Sequence, residues 1–169
     1  MNSKELRKLQ APLKAAYAKD ANEAFVTFTA EGKIGEGVTC KLETGKKLIE
    51  AGLHPKSGGS GLSACSGDML LEALVACAGV TMAAVATALQ IDIKDGRVRA
   101  EGDLDFRGTL GVEKDVPVGF QNIRLIFELE TDASKDMLAT LLELTERYCV
   151  VYQTLAKSPA IESSMRVNT

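Results

Sequence analysis

One apolar segment constrains the fold of this chain more than any other feature. Between Met69 and Ile93, the only charged or amide side chains are those of Glu72, Gln90 and Asp92. The run is long enough to cross a bilayer, but no second span and no basic flank accompany it. We therefore predict a buried core helix and no membrane partner. Burying such a helix on all sides in a small domain is easier if a second subunit covers one face, which predicts a homodimer.

The charge pattern and the first residues exclude several classes of protein. The chain has 20 basic and 23 acidic residues spread along its length, so it has no basic face for nucleic acid. Residues 1–25 contain no continuous apolar segment, and we predict no secretory signal and a cytoplasmic location. Apolar residues at helical spacing predict a helical arm within residues 1–22, with a break or kink at Pro12, followed by a single domain over 23–169.

The remaining patterns predict an α+β fold. Two helices are expected, one ending near Leu89 and the other spanning residues 132–155, with Ser66 or Asp68 capping the first and Ser134 or Asp132 capping the second. The expected strands comprise two within residues 23–45, one at 96–106, one at 120–131 and a closing strand at 160–167. The order ββ-α-ββ-α-β is an α+β arrangement.

The four cysteines are the candidate reactive groups. They are Cys40, Cys65, Cys77 and Cys149, with no CxxC spacing among them, and the chain has a single histidine, His54. This spacing argues against a zinc site, and we predict no metal and no cofactor. Cys77 and Cys149 both lie in predicted helices. Each thiol could simply pack as a small apolar side chain or could act as a reagent, and sequence spacing alone does not show that the two meet.

Three segments carry a resemblance to a known family. SGDMLLEALVACAGVTMAAVATALQIDI, VRAEGDLDFRGTLG and LLELTERYCVVYQTL resemble the osmotically inducible protein C / organic hydroperoxide resistance (OsmC/Ohr) family. The resemblance implies an intertwined homodimer with two central helices packed on antiparallel sheets. It also implies a thiol peroxidase for organic hydroperoxides, in which Cys77 attacks the peroxide and Cys149 resolves the sulfenic acid as a disulfide. An external dithiol would then reduce that disulfide.

The chain departs from the family pattern around the expected site. Family peroxidases lower the thiol pKa with an early arginine held by a glutamate, whereas this chain has no arginine between Arg7 and Arg97. Asp68 and Glu72 are the nearest candidate carboxylates, and Val150 replaces the proline that usually follows the second cysteine. Lysines fill the early segment, namely Lys33, Lys41, Lys46 and Lys47. A lysine or a backbone donor would have to stabilise the thiolate, and we expect slow turnover that rises up to about pH 8–9.

Two other functions remain open on the same residues. The chain could be a non-catalytic dimer that binds a small lipophilic ligand at its interface, or a structural dimer with inert thiols. Among secondary candidates, Tyr152 could donate a hydrogen bond near the site, and His54 could act as a base or cation from a loop. Cys65 could be a spare redox thiol, whereas Cys40 is expected to be core.

Overall fold

The computed structural model describes residues 2–20, 24, 27, 32–34, 39–44 and 47–167. Helices and strands alternate in a mixed α+β arrangement over this part of the chain. In chain order the elements are α1 (Ser3–Lys19), β1 (Gly32–Ile34), β2 (Thr39–Thr44), β3 (Lys47–Gly52), β4 (Ala64–Cys65), α2 (Ser66–Leu89), β5 (Asp95–Leu104), α3 (Phe106–Thr109), β6 (Phe120–Glu130), α4 (Lys135–Tyr148) and α5 (Val150–Ala156). The predicted first strand at the start of 23–45 lies largely outside the described residues.

The strands form two sheets. The first has the order β1-β2-β3-β4, in which β1, β2 and β3 are antiparallel neighbours and the short β4 runs parallel to β3. The second pairs β5 with β6 antiparallel from Asp95 opposite Glu130 to Leu104 opposite Phe120, with a register shift at Asp103/Leu104. The two long strands of this second sheet match the two alternating segments of the sequence. β3 and β4 were not predicted.

The core of the described chain is built on α2. Its buried positions are Leu74, Ala78, Met82, Val85 and Ala86, which recur at helical spacing along one side. Leu141 of α4 and Ile91 complete the buried cluster, and side chains from the second sheet pack around it. Small alanines along α2 let α4 and the second sheet approach it closely.

The opposite side of α2 is largely exposed within the described chain, although α1 contacts the helix. Only 28% of the most apolar 18-residue stretch of α2 is buried, and the Val80 side chain is 73% exposed. The uncovered residues recur every three or four positions and are Leu70, Ala73, Ala76, Val80 and Ala83. Among the described residues α2 is the one helix long and apolar enough to cross a membrane. This uncovered face is what a second subunit would have to bury.

Two sequence expectations on the C-terminal side were wrong. The helix predicted over residues 132–155 breaks at Cys149, whose backbone is extended at φ −74° and ψ 108°, and so becomes α4 and α5. The apolar periodicity continues through the break, so the pattern could not reveal it. The closing strand predicted over 160–167 is irregular chain in the structure, and its apolar side chains at Ile161 and Met165 are exposed. Within the described chain, this segment has no strand beside it to pair with.

Helix ends confirm some expectations and correct others. α1 forms at the predicted place but continues through Pro12 without ending. Ser134 caps α4 as predicted, accepting a hydrogen bond from the N–H of Met137. For α2 the N-cap is Cys65, rather than Ser66 or Asp68, and its side chain makes no capping bond.

Candidate functional site: a pair of thiols between two helices

The break between α4 and α5 is what positions the second thiol. Cys149 is at once the C-cap of α4 and the N-cap of α5, and its sulfur accepts the N–H of Tyr152 at 3.5 Å. Its main chain stays bonded on both sides, to Thr145 and to Gln153. The residue is completely buried. A turn at this point aims the thiol at α2, which packs against α5.

Cys77 of α2 faces this turn and is hydrogen-bonded to Cys149. Its sulfur also accepts the backbone N–H groups of Val151 and Val150 at the start of α5. The Thr81 hydroxyl, one turn further along α2, reaches both this sulfur and the Cys77 carbonyl oxygen, the latter at 2.8 Å. Cys77 is partly exposed and lies at the edge of the uncovered face of α2. The structure therefore brings together the two thiols that the sequence could only place on separate helices.

The surroundings shift the two thiol pKa values in opposite directions. Burial raises the pKa of Cys77, but the donors from Val151, Cys149 and Val150 outweigh it and bring the pKa below its ordinary value. Burial raises the pKa of Cys149, and bonding to Cys77 raises it further despite the backbone donors from Tyr152 and Val151. The two thiols therefore differ in acidity: Cys77 ionises more readily, and Cys149 keeps its proton.

Main-chain and hydroxyl or thiol groups, rather than a side-chain cation, account for the lowered pKa of Cys77 in the described part of the chain. Among the described residues, no lysine or arginine contributes to the lowered pKa of Cys77. Arg124 of β6 is engaged elsewhere, by Glu101 at 3.0 Å and Asp103 at 2.9 Å. Sequence reasoning allowed for a backbone donor but did not identify Val150 and Val151. The available signal was the absence of proline after Cys149, because proline would have no N–H to donate.

The other candidate residues gather in a different place. Asp68 and Glu72 line a cavity of about 280 Å³ together with His54 and Cys65. Asp68 precedes Cys77 by nine residues, which puts the two on roughly opposite sides of an α-helix. The structure does not bring either carboxylate to the thiol pair. No cluster of three His, Cys, Asp or Glu residues in the described part of the chain could hold a metal ion.

His54 is held by its own loop. Its Nδ1 accepts the N–H of Lys56 at 3.0 Å, and its ring stacks on Phe106 with centroids 4.9 Å apart. The imidazole thus caps a short 3-10 turn over Pro55–Ser57. Cys40 lies on β2, opposite Ala51 of β3, and its side chain lies outside the described part of the structure, as do those of the early lysines.

Fold and site together define a class of protein: an α+β domain in which a helix break sets a second thiol against a thiol on a long apolar helix. The sequence pattern of the OsmC-like protein family matches residues 58–164, which include both cysteines. The chain belongs to the OsmC-like protein family. The resemblance noted from the sequence is thereby confirmed. No curated protein sequence matches the chain.

Solved structures agree on the fold. An OsmC-like protein from Mycoplasma pneumoniae is 18% identical with a TM-score of 0.66, covering 79% of this chain and 89% of that one. An organic hydroperoxide resistance protein from Legionella pneumophila is 18% identical with a TM-score of 0.62, covering 79% and 93%. A third, an organic hydroperoxide resistance protein from Bacillus subtilis, is 17% identical with a TM-score of 0.53, covering 78% and 93%. At these identities the likeness establishes the α+β fold alone.

Proposed function

We propose that this protein is a thiol peroxidase that reduces organic hydroperoxides, with Cys77 as nucleophile and Cys149 as resolving thiol, in oxidative-stress defence. The observation that carries the proposal is the hydrogen-bonded thiol pair with its opposed pKa shifts. Two inert core cysteines have no need of backbone donors aimed at one sulfur. The Legionella and Bacillus neighbours are organic hydroperoxide resistance proteins by name, which supports the same substrate class.

The chemistry proceeds in two thiol steps. The Cys77 thiolate attacks the terminal oxygen of the hydroperoxide, the O–O bond breaks, and the alcohol leaves after taking up a proton. Cys77 is then a sulfenic acid. The sulfur of Cys149 attacks it, forming the disulfide as water leaves with the Cys149 proton. An external dithiol restores both thiols by exchange.

Each neighbour of the pair has a role in these steps. The N–H groups of Val150 and Val151 stabilise the thiolate before attack. The Cys149 thiol donates to the same sulfur, so it already lies within reach for resolution. No side-chain cation is required, which accommodates the missing arginine of the family pattern. Asp68 and Glu72 lie on another face of α2, and any part they play would be indirect.

We infer that the active form is a homodimer located in the cytoplasm. The uncovered face of α2, centred on Ala76 and Val80, is apolar and borders Cys77. A second copy laid on this face would bury it and would close one side of the thiol site. The family resemblance gives the same arrangement, with two central helices in contact.

A second candidate function is binding of a lipophilic ligand without turnover. A cavity of about 630 Å³ lies between α2 and the second sheet, lined by apolar residues such as Met82, Val98 and Leu129. Its α2 residues run from Gly79 to Thr87 toward the C-terminal end of the helix, and neither Cys77 nor Cys149 lines it. A cavity of this volume suits a small apolar molecule. Its position makes it independent of the thiol chemistry.

Consumption of cumene hydroperoxide in the presence of a dithiol tests the proposal. We expect turnover by the natural chain, none by Cys77→Ser, and a single stoichiometric reaction by Cys149→Ser. The matched control is Cys65→Ser, which should turn over normally. Full activity in Cys77→Ser, or no reaction of any variant with the peroxide, would reject a peroxidase and leave the ligand-binding function.

A further inference from the structure

A cavity of about 430 Å³ adjoins the thiol pair on the side away from the uncovered face of α2. Three of its lining residues each lie one helical turn from a cysteine. Leu74 precedes Cys77 by three residues on α2, and it is almost completely buried. Glu146 and Tyr152 flank Cys149 at three residues on either side. The cavity is therefore next to both sulfurs without being lined by either.

The cavity has the dimensions of a site for a small organic group, with both apolar and polar walls. Its volume lies within the range typical of small-molecule sites. Apolar side chains from α2, β6 and α5 form one part of its wall, and Gln121, Glu146 and Tyr152 make the other part polar; the apolar residues are Leu74, Phe120, Ile123, Leu125, Leu155 and Ala156. A cumyl or alkyl group extending from a hydroperoxide at Cys77 would find apolar surface here.

One wall of the cavity carries a carboxylate that forms no ion pair within the described part of the chain. Glu146 is the one charged side chain among the described residues that line it. The Tyr152 hydroxyl donates a hydrogen bond to this carboxylate, and burial together with the charge of Glu146 raises the pKa of Tyr152. Because Tyr152 is neutral, the bond orients the carboxylate without cancelling its charge.

The nearest arginine on β6 does not supply the missing positive charge. Arg124 lies between the cavity-lining Ile123 and Leu125, and alternate residues of a strand point to opposite faces. Its guanidinium is held on that other face by Glu101 and Asp103. A ligand with a carboxylate in the cavity would meet repulsion from Glu146 at short range.

We propose that this cavity receives the organic part of the substrate and that Glu146 restricts it to hydroperoxides whose organic part is uncharged. The identity of the substrate as a hydroperoxide rests on the proposed peroxidase function. The binding of an uncharged organic group in the cavity does not depend on that function. Glu146 is thus a specificity-determining residue, and Tyr152 positions it. Neutral aryl and alkyl hydroperoxides enter the cavity, whereas those with a carboxylate on the apolar part are excluded.

The first test compares cumene hydroperoxide with its ring-carboxylated derivative, which differ by one charged group. We expect kcat/KM to favour the neutral substrate by at least about tenfold, mainly through KM. Glu146→Gln keeps the size of the side chain and its hydrogen bond to Tyr152, and it should remove most of that preference. Glu143→Gln makes the same change of net charge at an exposed position of α4 and should leave the preference intact. An equal effect of both variants would overturn the proposal.

The second test does not depend on turnover. The two matching product alcohols are titrated by calorimetry into Cys77→Ser and into Cys77→Ser combined with Glu146→Gln. We expect the neutral alcohol to bind both proteins and the carboxylated one to bind measurably only the second. Failure of both alcohols to bind, or equal binding by Cys77→Ser, would overturn the cavity proposal. Selective binding with no peroxide turnover would support the cavity and reject the peroxidase.

Discussion

The Cys149 thiol is hydrogen-bonded to the sulfur of Cys77, and the two residues shift each other's acidity in opposite directions. The donor is the thiol whose pKa is raised, and the acceptor is the one whose pKa is lowered. A symmetric pair would leave open which sulfur attacks. Main-chain donors of α5 reach both sulfurs, but the balance of burial, donors and thiol contact lowers the pKa of Cys77, the thiol with access to solvent, and raises that of Cys149.

This asymmetry predicts two different pH profiles of alkylation. Lowering the pKa of Cys77 moves its thiolate to lower pH, so its reaction with iodoacetamide should rise with pH and level off below the ordinary range for a cysteine. Raising the pKa of Cys149 moves its profile the opposite way. Mass spectrometry of peptides labelled over a pH series measures both. The turnover rise up to about pH 8–9 expected from the sequence should shift downward with Cys77. Coincident profiles, or Cys149 reacting first, would contradict the assignment.

Val150→Pro tests the main-chain donors directly. Proline fits the first position of a helix, so α5 should form, but the N–H that Val150 donates to Cys77 is lost. A hydrogen bond to a charged group contributes about 1.5–3 kcal/mol, so labelling of Cys77 at neutral pH should slow by about tenfold or more. Val150→Ala retains the N–H and should label as fast as the natural chain. Equal rates in the two variants would show that this donor does not matter.

Mild oxidation should join Cys77 to Cys149. The two thiols interact with each other across the contact between α2 and α5, which is the arrangement that resolution of a sulfenic acid needs. Peptide mapping after one equivalent of organic hydroperoxide should find this disulfide, with Cys65 still free. Cys149→Ser is the suitable comparison, because serine preserves the cap of α5, and it should leave a sulfenic acid on Cys77 that dimedone traps. Recovery of Cys65 in the main disulfide would refute the pairing.

Val80→Asp should dissociate the proposed dimer. Val80 is 73% exposed in the single chain and lies at the middle of the uncovered face of α2. A carboxylate there would have to lose its water on association, which is costly without a partner. Light scattering should report about twice 18.0 kDa for the natural chain and 18.0 kDa for the variant. Val112→Asp, at an equally exposed site outside the helices, should remain dimeric. A natural chain that weighs 18.0 kDa at micromolar concentration would exclude the dimer.

Gly102→Ala should destabilise the second sheet. A Cβ at this position would lie 2.6 Å from the Phe120 ring, which also forms a wall of the 430 Å³ cavity. The resulting overpacking should lower the free energy of unfolding by about 1–3 kcal/mol. Gly79→Ala is the contrasting variant, because its Cβ meets Val98 at an ordinary 3.7 Å within a helix and should stabilise by about 0.5–1 kcal/mol. Denaturant titration at one protein concentration measures both, and equal effects would count against the ring contact.

Much of the fold followed from local patterns. The 3.6-residue periodicity predicted α1, the long apolar run predicted α2 and its end, and strict alternation predicted β5 and β6, because each pattern reflects how much of an element is covered. The break at Cys149 could not be predicted this way, since the apolar stripe continues from α4 into α5. β4 is two residues long and exists only because β3 lies beside it. Such pairings depend on tertiary contacts that leave no local pattern.

The site was partly predictable for a different reason. Cys77 and Cys149 were found because thiols are rare and their setting resembled a family. Asp68 and Glu72 were selected by distance along the chain, whereas the helix turns them toward the cavity with His54 and Cys65. The groups that contact Cys77 include two peptide N–H groups, which every residue except proline possesses. Beyond the absence of proline, residue type therefore carried no information about them.

The use of peptide groups in place of a side-chain cation has a consequence for how such sites are found. An alanine scan would pass over Val150 and Val151, because alanine offers the same N–H. Aligned sequences would show free substitution at both positions while the donors remained. Selection at these two positions would act on the orientation of the backbone N–H groups. Only a substitution by proline, or a change that restores a continuous helix through Cys149, would show that this orientation matters.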